Sequence, residues 1–248
     1  MQLHKFFVNP NDVNDYKIRI MEDAGHISRV LRLNVGDEIL IFDGIGTEYD
    51  CVLDIVGKSE CVATIIEKRP CRGEPKTKVI LFQGIPKSGK MELIIQKCVE
   101  LGISEIYPTI TKHTVVKFDN EKDKTNKTER WQKVSTEAAK QCGRGIVPIV
   151  HLPIEFDKAI ETAKNLDLAI MPYEMLNGKK DLRTVLSNNK NCDTIGFFIG
   201  PEGGFCETEA EIAKSNEIHL AGLGERILRT ETAAITTLSI IMYENEEL

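Results

Sequence analysis

The sequence predicts an α/β chain in two parts: a small β-rich unit over residues 1–72 and a larger α/β domain over 73–248. Three observations predict this. Short β-branched and aromatic runs, divided by turn residues, fill the first 70 residues. From residue 77 strand-like runs alternate with helical periodicity, the signature of an α/β sheet. Between them "RPCRGEPK" (69–76) is rich in turn residues and suits a boundary.

In the first part the strand runs are "HKFFV", "YKIRI", "DEILIFD", "EYDCVLDIV" and "ECVATIIEK". The segments "NPNDVND", "NVGDE", "DGIGTE" and "GKSE" turn the chain between them. One helical piece, "GHISRVLRL", interrupts, and its three-residue spacing predicts that His26, Arg29 and Arg32 share a face. In the second part the predicted strands are Val79–Gln83, Glu105–Pro108, Val147–Leu152, Asp167–Met171, Ile195–Gly200 and Glu217–Ala221. "KMELIIQKCVELG" carries Leu93, Ile94, Lys97, Cys98 and Leu101 at helical spacing and stops at Gly102. "TERWQKVSTEAAKQCG" predicts a helix capped by Thr128, with "NEKDKTNK" before it as a solvated loop. "FDKAIETAKN" and "KKDLRTVLSNN" are shorter helices, and "TETAAITTLSIIMYENEEL" is a closing helix capped by Thr230.

The bulk composition, 42% hydrophobic and 28% charged over 248 residues, is that of an ordinary globular chain. No apolar run reaches about 18 residues, so no membrane span is expected. The N-terminus lacks a signal pattern. Seven scattered cysteines without a C-x-x-C pair argue for reduced thiols, a cytoplasmic location and no metal site. The net charge of −6 is unevenly spread: residues 73–150 carry 14 Lys+Arg against 9 Asp+Glu, and the flanking parts are acidic.

Gly84, Gly89 and Lys90 in "GIPKSGKM" imitate the start of a nucleotide-binding P-loop. The chemistry does not follow. Met91 cannot supply the hydroxyl that ligates Mg²⁺, and Pro86 removes an N–H from a loop that would work by donating them. Two later stretches are more informative. "IGFFIGPEGGFCETEAE" is a buried strand that breaks into Gly200–Gly204 and then starts a helix. "EIHLAGLGERILRTETAA" repeats the form with Gly222 and Gly224. Two such loops at the carboxyl ends of strands make either a pair of tight turns or a ligand shelf. Glu202, Glu225, Arg226, Arg229 and Glu231 around them favour the shelf.

"HISRVLRLNVGDEI" with "FDGIG", "KMELIIQKCVELGISEIYP", "RWQKVSTEAAKQCGR", "FIGPEGGF" and "LGERILRTETAA" occur in this order along nearly the whole chain. In this the sequence resembles the small-subunit ribosomal RNA uridine-N3 methyltransferases of the RsmE type, within the SPOUT superfamily. The resemblance implies a PUA-like RNA-binding β-barrel over 1–72. It also implies a SPOUT α/β methyltransferase domain over 73–248, with a deep trefoil knot at about 195–235. It further implies S-adenosylmethionine as cofactor, 16S ribosomal RNA of the small subunit as substrate, and a homodimer. The cofactor shelf it implies comprises Met171, Pro172, Tyr173 and Glu174; Ile199, Gly200, Pro201, Glu202, Gly203 and Gly204; and Leu220, Gly222, Leu223, Gly224, Ile227, Leu228, Arg229, Thr230 and Thr232. A non-catalytic RNA-binding assembly factor, or a methyltransferase of the same fold acting on another RNA, are the alternatives.

Methylating uracil N3 requires loss of its proton and stabilisation of the resulting negative charge. Arg229 is the first candidate to stabilise the uracilate and Arg226 the second, with Glu231 or Glu202 to take the proton; Arg229 and Glu231 could instead pair with each other. The candidate RNA contacts are Lys5, Arg29 and Arg32 in the first part and Lys87, Lys90 and Arg144 in the second. The chain departs from the family pattern at the lysine of "HKFF", in "PKSGKME", at Cys142 and at Cys206. A cysteine in place of a serine N-cap at position 206 is expected to weaken the following helix by roughly 0.5–2 kcal/mol.

Overall fold

The computed structural model describes residues 3–175 and 181–248. The chain forms two compact units: Met1–Glu74 with Ala139–Val147, and Pro75–Ala138 with Pro148–Leu248.

The first unit is a five-stranded sheet of β1 (His4–Phe7), β2 (Lys17–Ile20), β3 (Glu38–Phe42), β4 (Thr47–Val56) and β5 (Cys61–Pro70), in the order β1-β3-β4-β5-β2. All pairs are antiparallel except β1 with β3. Alternation explains the strands: Ile18 and Ile20, Ile39 and Ile41, Cys51 and Leu53, and Cys61 and Ala63 point into one buried core. β4 and β5 slip register at Asp50/Cys51 and Leu53/Ile55, and such bulges bend a sheet toward closure. Arg69 on β5 bonds both Glu48 (2.6 Å) and Asp50 across the β4 pairing. The helical piece is a π-helix over His26–Leu31, ended by Arg32 in the left-handed region at φ 53°. In this wider turn, bonded i to i+5, three-residue spacing no longer returns a side chain to the same stripe. His26, Arg29 and Arg32 therefore do not share the face that α-helical spacing predicts.

The second unit holds a seven-stranded parallel sheet of β6 (Lys78–Gly84), β7 (Glu105–Ile110), β8 (Ile149–Val150), β9 (Ile154–Glu155), β10 (Leu168–Pro172), β11 (Thr194–Ile199) and β12 (His219–Ala221). The order is β12-β10-β11-β6-β7-β8, with β9 also pairing β7. β6 and β11 lie at the centre. Their unbroken apolar runs suit a strand covered on both faces, and both are buried almost throughout. Phe82 of β6 stacks on Phe198 of β11 at 4.5 Å and on Tyr107 at 5.3 Å. Around the sheet lie α1 (Lys90–Glu100), α2 (Glu121–Cys142), α3 (Phe156–Ala163), α4 (Leu182–Asn188), α5 (Glu207–Ser215) and α6 (Thr230–Glu244). Phe156, Ala159 and Ile160 of α3 and Ala213 of α5 share a core with Phe82 and Phe198, while α6 packs on α1 and α4. Helices thus cover both sides, as a parallel sheet demands.

Three predicted helix starts move. α2 starts at Glu121 rather than after Thr128. Asn120 caps it by accepting from the Asp123 N–H (3.0 Å), and the polar run holds as helix through Lys124–Glu121 and Lys127–Asp123 pairs. Thr128 lies inside the helix with its hydroxyl donating to the Lys124 carbonyl. α4 starts at Leu182, capped by Asp181, whereas Lys179 and Lys180 of the predicted segment lie outside the described residues. α6 is entered through Arg229, and Thr230 is its first helical residue. Cys206 does precede α5, but Glu209 supplies the capping: its carboxylate accepts from the Cys206 N–H (2.9 Å) and the Lys112 N–H (2.8 Å).

Candidate functional site

The carboxyl ends of β10, β11 and β12 and the first turn of α6 enclose a cavity of about 510 Å³. Its walls come from three segments: Pro172–Glu174, Ile199–Phe205, and Gly222–Thr230 without Glu225. Lys90 and Ala233 complete it.

Long-range hydrogen bonds set the shape. The Thr230 hydroxyl donates to the Gly200 carbonyl (2.6 Å) and accepts from Gln83 Nε2 (3.0 Å). Gln83 is fully buried at the end of β6 and also donates to the Gly84 carbonyl (2.9 Å). One hydroxyl thus ties β6, the first glycine loop and α6 together. The second loop is joined to its neighbours by backbone bonds, Tyr173 N–H to the Ala221 carbonyl (2.9 Å) and Leu182 N–H to the Gly222 carbonyl (3.2 Å).

Two glycines leave room that side chains would take. Gly204 (φ 65°) and Gly224 (φ 101°) adopt the left-handed backbone. A Cβ would come no nearer than 3.9 Å to Glu174 at the first and would meet nothing within 4 Å at the second. Gly84 is needed for a different reason. A Cβ there would lie 2.5 Å from Pro201 Cδ and 2.7 Å from its nitrogen, so β6 can end against the glycine loop only without a side chain. The P-loop imitation is therefore a packing glycine. Its lysine is engaged too: Lys90 Nζ lies 3.3 Å from Glu202 and 3.4 Å from Glu231.

Electrostatics separate the predicted charged residues. The Glu202 carboxylate accepts twice from the Lys87 N–H (3.1 and 3.2 Å). Burial opposes its ionisation, yet backbone N–H groups, Lys87's among them, and the Lys90 ammonium together hold its pKa below the ordinary value. Glu231 shares Lys90, does not line the cavity, and keeps one buried oxygen without a hydrogen bond. Arg226 and Arg229 are exposed, line the cavity, and form no ion pair with another described residue. The Arg229–Glu231 pair that spacing allowed is not formed.

Of the predicted shelf, sixteen residues line this one cavity. Met171, Leu220 and Thr232 do not: Met171 is fully buried in the sheet core, Leu220 packs against it, and Thr232 is exposed on α6. The sequence reading missed Phe205 and Ala233 in the walls and Gln83 behind them. A Cβ on Gly203 would meet the His113 side chain at 3.0 Å. Gly203 thus lines the cavity on one side and makes room for a neighbouring turn on the other.

The predicted RNA contacts fare unequally. Lys5, Arg29, Arg32 and Lys87 are exposed. Arg29 folds back over Gly25, and the Lys5 ammonium lies 6.0 Å from the centre of the Phe42 ring. Arg144 is only 8% exposed, and its guanidinium bonds Glu74 (2.8 Å), whose other oxygen accepts from the Gly145 and Ile146 N–H groups. It fastens its own loop, so the predicted phosphate contact there is replaced by an internal ion pair. Among the described residues no group of His, Cys, Asp and Glu is arranged to hold a metal ion, and no helix is long and apolar enough to cross a membrane.

Residues 73–242 match the family model of an RNA methyltransferase domain, and residues 22–66 match that of an RNA methyltransferase PUA domain. A ribosomal RNA small subunit methyltransferase E from Bacillus subtilis is 36% identical over 230 residues, 92% of this chain and 90% of the relative. The chain belongs to the ribosomal RNA small subunit methyltransferase E family. Solved structures agree with the methyltransferase E assignment. A methyltransferase E from Neisseria gonorrhoeae, crystallised with S-adenosylmethionine bound, is 26% identical with a TM-score of 0.84, covering 98% of both chains. A methyltransferase from Legionella pneumophila, also with S-adenosylmethionine bound, is 29% identical with the same TM-score over 98% of both chains.

Proposed function

We propose that this chain methylates N3 of a uridine in 16S ribosomal RNA of the small subunit, using S-adenosylmethionine. The observation that carries the reading is the one cavity into which both glycine loops and two arginines, without an ion pair among the described residues, converge. Its residues fit the cofactor. Leu223, Ile227, Leu228 and Phe205 offer apolar walls for an adenine, the open space at Gly204 and Gly224 lets backbone come close, and Glu174 suits a cationic ligand. When bound, S-adenosylmethionine supplies an electrophilic methyl group. Arg229, with Arg226 beside it, donates to the uracil oxygens as negative charge develops there. Glu231 holds Lys90, Lys90 holds Glu202, and Glu202 holds the Lys87 backbone, so these charges fix the rim.

The same proposal includes a domain boundary near residue 73, a trefoil knot over about 195–235 formed as α6 passes the glycine loops, a homodimer, and a cytoplasmic location. RNA is held by the PUA-like unit through Lys5, Arg29 and Arg32 and by Lys87 on the methyltransferase unit. The test is twofold. Calorimetry is expected to show stoichiometric S-adenosylmethionine binding. Small subunits from a strain lacking the gene are expected to gain one methyl, located by mass spectrometry on uridine N3 of 16S RNA. Binding without incorporation would make the protein an assembly factor, and incorporation only into another RNA would overturn the substrate.

A further inference from the structure

A second cavity, of about 470 Å³, shares Glu202 and Gly203 with the first and is lined besides by Lys87, Lys112 and His113. His113 sits in a tight turn after β7, closed by the Thr114 N–H on the Thr111 carbonyl (3.0 Å) and the Thr111 N–H on the Thr114 hydroxyl (2.9 Å). The Lys112 N–H is anchored on Glu209 of α5. The imidazole is therefore held by a braced turn.

The hydrogen bonds of the ring fix its tautomer. Nδ1 lies 2.8 Å from the Gly203 carbonyl oxygen and 3.2 Å from that of Gly204. Both partners can only accept, so Nδ1 carries the hydrogen and donates it. In the neutral ring Nε2 is then an acceptor. The ring is exposed, and no hydrogen bond to Nε2 is made by another described residue. Its charged neighbours are Lys112 of its own turn and, from other elements, Lys87 and Glu202, and Glu202 is already taken by Lys87 N–H and Lys90.

The cavity thus offers one open acceptor in a lining that also includes Lys87 and Lys112. Uracil offers such an acceptor its N3–H donor. Cytosine has no hydrogen on N3 and would set acceptor against acceptor. We propose that His113 Nε2 accepts from the uracil N3–H and takes the N3 proton, while Arg229 and Arg226 of the adjoining cavity face the uracil oxygens; this rests on the uridine methyltransferase reading above. The N3–H bond breaks with its electron pair left on N3 and its proton passed to Nε2. N3 then bonds the methyl carbon, whose bond to sulfur breaks with that pair kept by sulfur, turning the sulfonium into a neutral thioether. The imidazolium later gives its proton to water. The gap left by Glu202 and Glu231, both engaged by Lys90, is filled by a residue that the sequence did not point to.

Two measurements test this on the whole protein. In ¹⁵N-imidazole NMR without cofactor, uridine 5′-monophosphate is expected to shift the His113 Nε2 resonance and cytidine 5′-monophosphate to leave it in place. Equal responses, or none, would overturn the proposal. His113→Asn keeps a donor at the Nδ1 position and deletes Nε2. Its turnover is expected to fall about 100-fold or more with S-adenosylmethionine affinity unchanged. Turnover within about two-fold of wild type would refute the role of Nε2 and leave the methyltransferase reading intact. A wild-type protein that methylates no RNA would sink that reading instead, while the NMR comparison would still judge the uracil site.

Discussion

Replacing Thr230 by valine removes one hydroxyl and almost nothing else, because the two side chains share their shape. The structure says what is lost. The Gly200 carbonyl loses its donor at 2.6 Å, and buried Gln83 Nε2 loses one of its two acceptors. Each lost bond is worth about 1 kcal/mol net, and a buried group left unpaired costs about 1–3 kcal/mol. Gly200 is only partly buried, so the total comes to roughly 2–3 kcal/mol. For a chain of this size that lowers the melting temperature by roughly 5–10 °C. Thr230→Ser is the control: it keeps the hydroxyl and loses a methyl worth about 1 kcal/mol. Differential scanning calorimetry of the two variants side by side isolates the hydroxyl. The first glycine loop also loses its tie to α6 in the valine variant, so calorimetric S-adenosylmethionine affinity is expected to fall about tenfold, or 1.4 kcal/mol. If Thr230→Val melts at or above Thr230→Ser, the hydroxyl does not brace the loop and the account of the cavity is mistaken.

Arg229→Ala is expected to lower kcat about 100-fold while S-adenosylmethionine affinity stays within a few-fold, because the guanidinium acts on developing charge; near-normal turnover would remove it from the chemistry. Lys90→Ala is expected to cost about 1–2 kcal/mol in urea denaturation, since it strips two carboxylates of their cation, yet to leave cofactor affinity nearly unchanged. A complete loss of cofactor binding would show that Lys90 holds the ligand and does more than neutralise the two carboxylates. Glu105 accepts from His151 Nε2 (2.7 Å) and pairs with Lys78. Despite partial burial, the His151 bond and then Lys78 pull its pKa down to about 2. A folded value below the ordinary 4.5 means that this stabilisation is present above that pH and fades as pH falls toward about 2. Glu105→Gln is therefore expected to cost up to roughly 3 kcal/mol at pH 7, with the difference from wild type shrinking toward pH 3. A gap that does not change with pH would refute the linkage.

Local periodicity made most of the elements legible. Each of the five strands of the first unit and the long strands of the parallel sheet coincide with apolar runs read from sequence, because burial on one or both faces writes itself as period 2 or as an unbroken run. The start of α2 was hidden, because the turns that precede Trp131 bury little and hold by charge pairs instead of an apolar stripe. The glycine loops were visible since their residues are contiguous. Their bracing was not. Thr230 looks like a cap from its neighbours, but its partners lie 147 and 30 residues away. His113 gives no local sign at all: only the fold brings its ring to carbonyls 90 residues further on. Arg144 looked like an open cation for the same reason, since its partner Glu74 is 70 residues earlier.

The bond from Thr230 to the Gly200 carbonyl carries a consequence for biosynthesis. Both glycine loops are translated before the helix whose first residue braces one of them. A nascent chain halted short of α6 would own every wall residue up to Arg229 and still lack the brace for that shelf. Capacity to capture a small molecule should accordingly appear late and abruptly during synthesis, as a report that this last helix has docked.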